Sequence, residues 1–163
     1  ASAVRFARDL VTAPANELLA GIQVARMEAI RRGTRTVVCR SNNADAATPA
    51  CSTAGGAWPG WVVFVDTNGN DVLDGGEAIL RSGVIAAPAV LNVSNNISNQ
   101  RMIFRPDGLA RTPAGALLAA RLAVCVPYAS PAENVRDVTV SSGSRIAVVS
   151  RNGAGACATP ANS

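Results

Sequence analysis

Residues 14–40 read PANELLAGIQVARMEAIRRGTRTVVCR, and the period of their apolar positions changes at Gly33. Before it, Leu18, Ile22, Ala25 and Ala29 recur at helical spacing, and Leu19 and Ile30 widen that face. Arg26, Arg31 and Arg32 take the remaining surface, and the last two sit where a helix C-terminus favours positive charge. Gly33 supplies the stop. Pro14 suits a first turn and Thr12 a cap, so the helix is expected over residues 15–32, with residues 1–13 a separate or kinked helical piece. After Gly33 the pattern shortens to a strand from Thr34 to Arg40, rich in β-branched residues and carrying Cys39.

Downstream, every periodic segment is short. Strands are expected at Trp61–Asp66, Ala78–Arg81, Val84–Val93, Gln100–Arg105, Leu117–Val126, Arg136–Val140 and Arg145–Ser150. Thr67-Asn68-Gly69-Asn70 reads as a hairpin turn, because Asn-Gly tolerates positive φ, and Pro106-Asp107-Gly108 reads as a second turn. Trp58 and Trp61, flanking Pro59-Gly60, are expected to cover a sheet edge. One helix followed by seven or eight antiparallel strands is an α+β arrangement. The 163 residues are expected to form a single domain: a helical part over 1–33, a β-rich part over 34–151, and a Gly/Ala-rich tail over 152–163 tied by Cys157.

Composition narrows the chemistry. Thirty-one residues are alanine and only six are aromatic, so the core is modest. All 15 basic residues are arginine, against 11 acids, for a net charge of +4. With no histidine there is no Ser-His-Asp or Cys-His site, and with no lysine no Schiff base or P-loop. The chain is therefore read as a non-enzyme without a cofactor. No run of 18 apolar residues occurs. The opening Ala1-Ser2-Ala3-Val4 is read as the start of a processed or truncated chain.

Cys39, Cys51, Cys125 and Cys157 contain no CxxC pair and resemble no zinc site. An even number of cysteines suggests two disulfides and an oxidising compartment. Three connectivities are open. Sequential pairing, Cys39–Cys51 with Cys125–Cys157, closes the shortest loops and is the expected one.

Two segments carry a resemblance. Ala15-Asn16-Glu17-Leu18-Leu19 through Ala25-Arg26-Met27-Glu28-Ala29-Ile30-Arg31-Arg32-Gly33 resembles the "ANELLxxxxxARxEAIRRG" segment of the GspH/FimT family of type IV pilin-like proteins. Gly60-Trp61-Val62-Val63-Phe64-Val65-Asp66-Thr67-Asn68-Gly69-Asn70, continuing through Asp74-Gly75-Gly76-Glu77-Ala78-Ile79-Leu80-Arg81, is similar to that family's "GWxVFxDxNGNxxxDxGExxLR" hairpin. Phe104-Arg105-Pro106-Asp107-Gly108 is similar to its "FxxxG" turn. The resemblance implies a pilin-like fold, an N-terminal helix on antiparallel sheet. It also implies a hydrophobic, N-terminally methylated half-helix, which this sequence lacks, anchoring the subunit in the bacterial inner membrane. The implied setting is the periplasm and the extracellular pilus. The implied partners are other major and minor pilins, with the subunit priming or capping a type IV pilus. The alternatives it carries are a type II secretion pseudopilin, and a subunit binding double-stranded DNA for uptake in natural transformation.

Two clusters are candidate sites. Asp66, Asn68, Asn70, Asp74 and Glu77 stand at relative positions 1, 3, 5, 9 and 12, the spacing of an EF-hand calcium loop. Position 6, where that loop needs glycine, is Asp71, and the flanks read as strands. The segment is therefore read as a solvated hairpin, with calcium suggested by spacing alone. Arg136, Arg145 and Arg151 lie on or beside the last hairpin, where DNA-binding relatives place a "GRxR" turn. Here Gly143 is followed by Ser144, and Ile146 stands where the second arginine is expected. Guanidinium forks suit phosphate oxygens, so these three are the DNA-binding candidates.

Overall fold

The computed structural model describes residues 2–163, with side chains from Arg5 onward. Helix α1 runs without a break over Ser2–Arg32 and includes Pro14. The helix is thus longer than the sequence pattern indicates. Proline removes one backbone donor and leaves the carbonyl of Leu10 without its helical partner. The buried stripe holds the helix together across that gap: Ala7 and Val11 before Pro14 continue into Ala15, Leu18, Ile22, Ala25 and Ala29 after it. Thr12 does not cap. Its hydroxyl donates to the Arg8 carbonyl at 2.9 Å, the back-bond of a mid-helix threonine.

The helix ends as expected, and for a visible reason. Gly33 adopts φ +62°, its N–H donates to the Ile30 carbonyl, and the Thr34 N–H donates to the Ala29 carbonyl, both at 3.3 Å. This is a Schellman closure. On the last turns Glu28 accepts from Arg31 at 2.7 Å and from Arg32 at 2.6 Å. These hydrogen bonds, Arg31's first, pull the Glu28 carboxyl down to about 2. A carboxylate whose folded pKa is depressed adds stability that is present above its unfolded value, near 4.3, and lost as pH falls through the folded one. Glu28→Gln should therefore narrow the gap in thermal midpoint between pH 5 and pH 2, leaving the variant less acid-sensitive than the parent in paired melts. Equal acid sensitivity would show that the three side chains are not coupled in solution.

Eight strands follow: β1 (Arg35–Arg40), β2 (Gly60–Asp66), β3 (Ile79–Val84), β4 (Val90–Val93), β5 (Arg101–Phe104), β6 (Ala120–Cys125), β7 (Val135–Val140) and β8 (Ile146–Arg151). They form two antiparallel sheets of four, in the orders β3-β2-β1-β5 and β4-β6-β7-β8. Both sheets touch α1, and one core joins all three: Leu18 and Ile22 from the helix, Val38, Val63 and Phe104 from the first sheet, Leu122, Val124 and Val138 from the second. Strand β2 is buried on both faces. Trp61 and Val63 face the helix, while Val62 and Phe64 pack with Val37, Cys39 and Ala44 beneath the 41–57 loop. That loop is fastened by Cys39–Cys51, and the C-terminal tail by Cys125–Cys157.

The structure corrects several boundaries. Of the segment expected as one strand over Val84–Val93, Val84 ends β3 in the first sheet and Val90–Val93 form β4 in the second, with a turn between them in which the Ala89 N–H donates to Ala86. Pro88 has no N–H for a ladder, and the chain crosses between sheets there. The strand expected over Leu117–Val126 is shorter, and Leu117 makes only an isolated bridge to Arg111. Residues 67–78 form a long connection rather than a tight turn, though Gly69 does take the positive φ (+72°) its sequence suggested. Trp58 and Trp61 do not cover an edge. Both are buried, and the Trp58 Nε1–H donates to Gln100 Oε1 at 2.7 Å. Ile30, expected on the buried face, is 50% exposed. No helix among the described residues is long and apolar enough to cross a membrane.

Candidate functional site

The acidic loop follows β2 and is organised by its own side chains. Asp66, nearly fully buried, accepts from the backbone N–H of Gly69 at 3.1 Å and of Asp71 at 2.9 Å. Burial pushes its pKa up, and the neighbouring charges of Glu77 and Asp71 add to that, against the two N–H bonds. Asp74 accepts from the amides of Asn68 (2.8 Å) and Asn70 (2.7 Å), which lower its pKa. Glu77 accepts from the N–H of Thr67 and of Asp74, both at 2.8 Å. The five residues of the calcium-like spacing therefore share one loop, and their oxygens cap its backbone N–H groups and bind its amides. Among the described residues no group of three or more acidic or cysteine side chains is placed to hold a metal ion. The loop also raises one apolar side chain, Val72, to 45% exposure between Asp71 and Asp74.

The three arginines occupy three places. In β7, Val138 and Val140 face the core, so Arg136 shares their face by the two-residue period of a strand. Arg136 is buried, and its Nη1 donates to the carbonyls of Glu133 at 2.8 Å and Val135 at 3.3 Å. Asp137 and Arg151 meet on the opposite face as a two-pronged ion pair of 2.6 and 3.2 Å, with Asp137 nearly inaccessible. That carboxylate raises the Arg151 pKa further. Arg145 lies at the other end of β8, about 20 Å along the strand from Arg151. Only Arg145 is exposed and without a carboxylate partner among the described residues. The structure thus does not gather the three into one basic patch.

Arg145 is instead joined to residues that sequence reasoning did not single out as a site. A groove of about 500 Å³ runs between α1 and the β7–β8 turn, lined by Gln23, Arg26, Met27, Ile30, Arg145 and Ile146. Its wall is set by the turn. Ser144, at φ +59°, is buried and its Oγ accepts from the Ala110 N–H at 2.7 Å. That bond holds the turn against the Pro106–Ala110 segment and occupies the hydroxyl. Arg26 is anchored by its Nε–H to the Gly108 carbonyl at 3.1 Å. A Cβ on Gly108 would meet Ile30, so glycine there lets the segment approach the helix. The floor is Met27, 59% exposed, and Ile30. The signal available in the sequence was that Met27 lies off the Leu18–Ile22–Ala25–Ala29 stripe, so its apolar surface cannot be spent on the chain's own core.

The fold has known counterparts. The type IV minor pilin FimU of Pseudomonas aeruginosa superposes with a TM-score of 0.58 at 20% identity, over 87% of this chain and 90% of that one. A second crystal form gives 0.56 at 17%, over 85% and 92%. The minor pseudopilin EpsH of the Vibrio cholerae type 2 secretion system superposes with 0.59 at 11%, over 87% and 98%. No curated protein sequence matches the chain. The family model described as type II transport protein GspH matches residues 14–144, which hold α1 from Pro14 on, the acidic loop and the helix side of the groove, and end just before Arg145 and Ile146. This chain belongs to the GspH family of pilin-like proteins.

Proposed function

We propose that this protein is a minor pilin, an assembly subunit that primes or caps a type IV pilus by docking against other pilins in the periplasm. The observation that carries the reading is α1. It is about 46 Å long by helical rise, and it spends one stripe on its own core. It still displays Phe6 at 65% exposure, together with Met27 and Ile30. Exposed apolar side chains at both ends of one helix are what a neighbouring subunit would cover. The role is architectural and involves no catalytic step. Anchoring in the inner membrane, implied by the sequence resemblance, belongs to the same reading.

The test is piliation. In a strain lacking the protein, fibres counted by electron microscopy should fall several-fold, recover with the parent gene, and fail to recover with Phe6→Glu. Unchanged fibre number and length in the deletion strain would refute the reading. A type II secretion pseudopilin would use the same docking helix, and the family's own description favours it. Loss of exported enzymes with intact pili would be its signature. Of the three arginines that the sequence offers to duplex DNA, Arg145 alone is left exposed, since Arg136 and Arg151 are engaged within the fold.

A further inference from the structure

We propose that the Arg26/Arg145 groove receives the acidic loop of a second copy of this chain, with Val72 entering between Met27 and Ile30. The inference rests on the assembly reading above and names one contact within it. The groove presents an apolar floor and two guanidinium groups, neither of them paired with a carboxylate among the described residues. Residues 66–77 contain four acids and no basic residue; Asp66 is buried and Asp71 pairs with Arg35 at 3.3 Å, and Val72 stands exposed between Asp71 and Asp74. The two surfaces are therefore complementary in charge and in apolar character: an exposed valine flanked by carboxylates, and an apolar groove flanked by arginines.

The loop is already rigid enough to act as a knob. Asp66, Asp74 and Glu77 hold its backbone and amides, so docking would order little that is not ordered already. Its placement fits a side-by-side contact. The helix C-terminus leads directly into β1, whose first residue, Arg35, pairs with Asp66 at the loop's start, so loop and groove lie at the same end of the molecule. The loop extends from the β2–β3 side of the first sheet, and the groove lies against the β7–β8 turn of the second. Such a contact uses different surfaces on the two copies, so it is head-to-tail and does not close a two-fold dimer. One knob in one slot is a small interface, so the association is weak in solution and strengthens where subunits are held side by side.

Sedimentation velocity from about 10 μM to 1 mM tests this, with Val72→Glu and Arg145→Glu as variants. The weight-average mass of the parent should rise with concentration, and less so in high salt. Each variant alone should remain monomeric, with its thermal midpoint unchanged. An equimolar mixture should recover association, but only to a dimer, because each variant retains one of the two surfaces. A monomeric parent throughout the range, variants that associate like the parent, or a mixture that stays monomeric would each overturn the contact. Loss of this contact with piliation still dependent on Phe6 would leave the assembly reading standing. Loss of both would remove it.

Discussion

Gly21→Val is expected to lower the thermal midpoint by about 6–12 °C, corresponding to about 3 kcal/mol in a chain of this size. The reason is Trp61. Its ring is buried between α1 and β3, and a Cβ on Gly21 would stand 2.5 Å from Cζ3. On the other side, Gly83 faces Trp61 across the strand pair, and a Cβ there would stand 2.6 Å from Cζ2. An indole clamped by two glycines cannot retreat from either. Even Gly21→Ala should destabilise, although alanine in a helix interior is worth up to about 1 kcal/mol over glycine. That inversion of sign separates packing from propensity. Pairing Gly21→Ala with Trp61→Phe removes the six-membered half of the indole, so the two costs should fall short of adding, by about 1 kcal/mol in a double-mutant cycle. Strict additivity in denaturant melts would mean that the ring does not fill this space.

The second large effect is expected at the cysteines. Cys125–Cys157 closes a separation of 32 residues and Cys39–Cys51 one of 12. Loop-closure entropy in the unfolded chain then gives about 3.7 kcal/mol for the first and about 2.8 kcal/mol for the second. The C-terminal bridge has a further role: Cys157 packs on Ala123, Cys125 and Val135 and holds the tail over the outer face of the second sheet. There the Asn134 amide donates to the Val126 carbonyl at 2.8 Å and its oxygen accepts from the Gly153 N–H at 2.8 Å. Cys125→Ala/Cys157→Ala should therefore cost more than Cys39→Ala/Cys51→Ala, with early hydrogen exchange confined to the tail and the edge of β8. Identical melting of the parent with and without reductant would contradict both bridges.

Much of the architecture was legible because one feature dominates each legible element. The stripe from Leu18 to Ala29 and the stop at Gly33 decide the helix end, and Asn68-Gly69 marks a positive-φ loop. Pro14 misled because its local cost is outweighed by burial of Ala7 and Val11, a tertiary term with no local signal. Val84–Val93 misled because a strand-like composition continues across a crossover that only Pro88 betrays. The arginines show a different limit. Sequence proximity places Arg136 and Arg151 on one hairpin. Their opposite faces follow only from the register, Val140 opposite Ile146. Once that register is fixed, Asp137 falls on the face of Arg151 and neutralises it, and Arg136 is turned inward. The groove at Arg145 joins residues more than a hundred positions apart, so it emerges from the packing of α1 against the last turn.

Docking through α1 is read out by site-specific photo-cross-linking from Phe6. With a benzophenone amino acid at position 6 of the protein in its own cells, one discrete cross-linked band containing another pilin subunit is expected, absent when the same probe is placed at buried Ala15. A probe at Phe6 that captures no pilin, in cells that are visibly piliated, would contradict it.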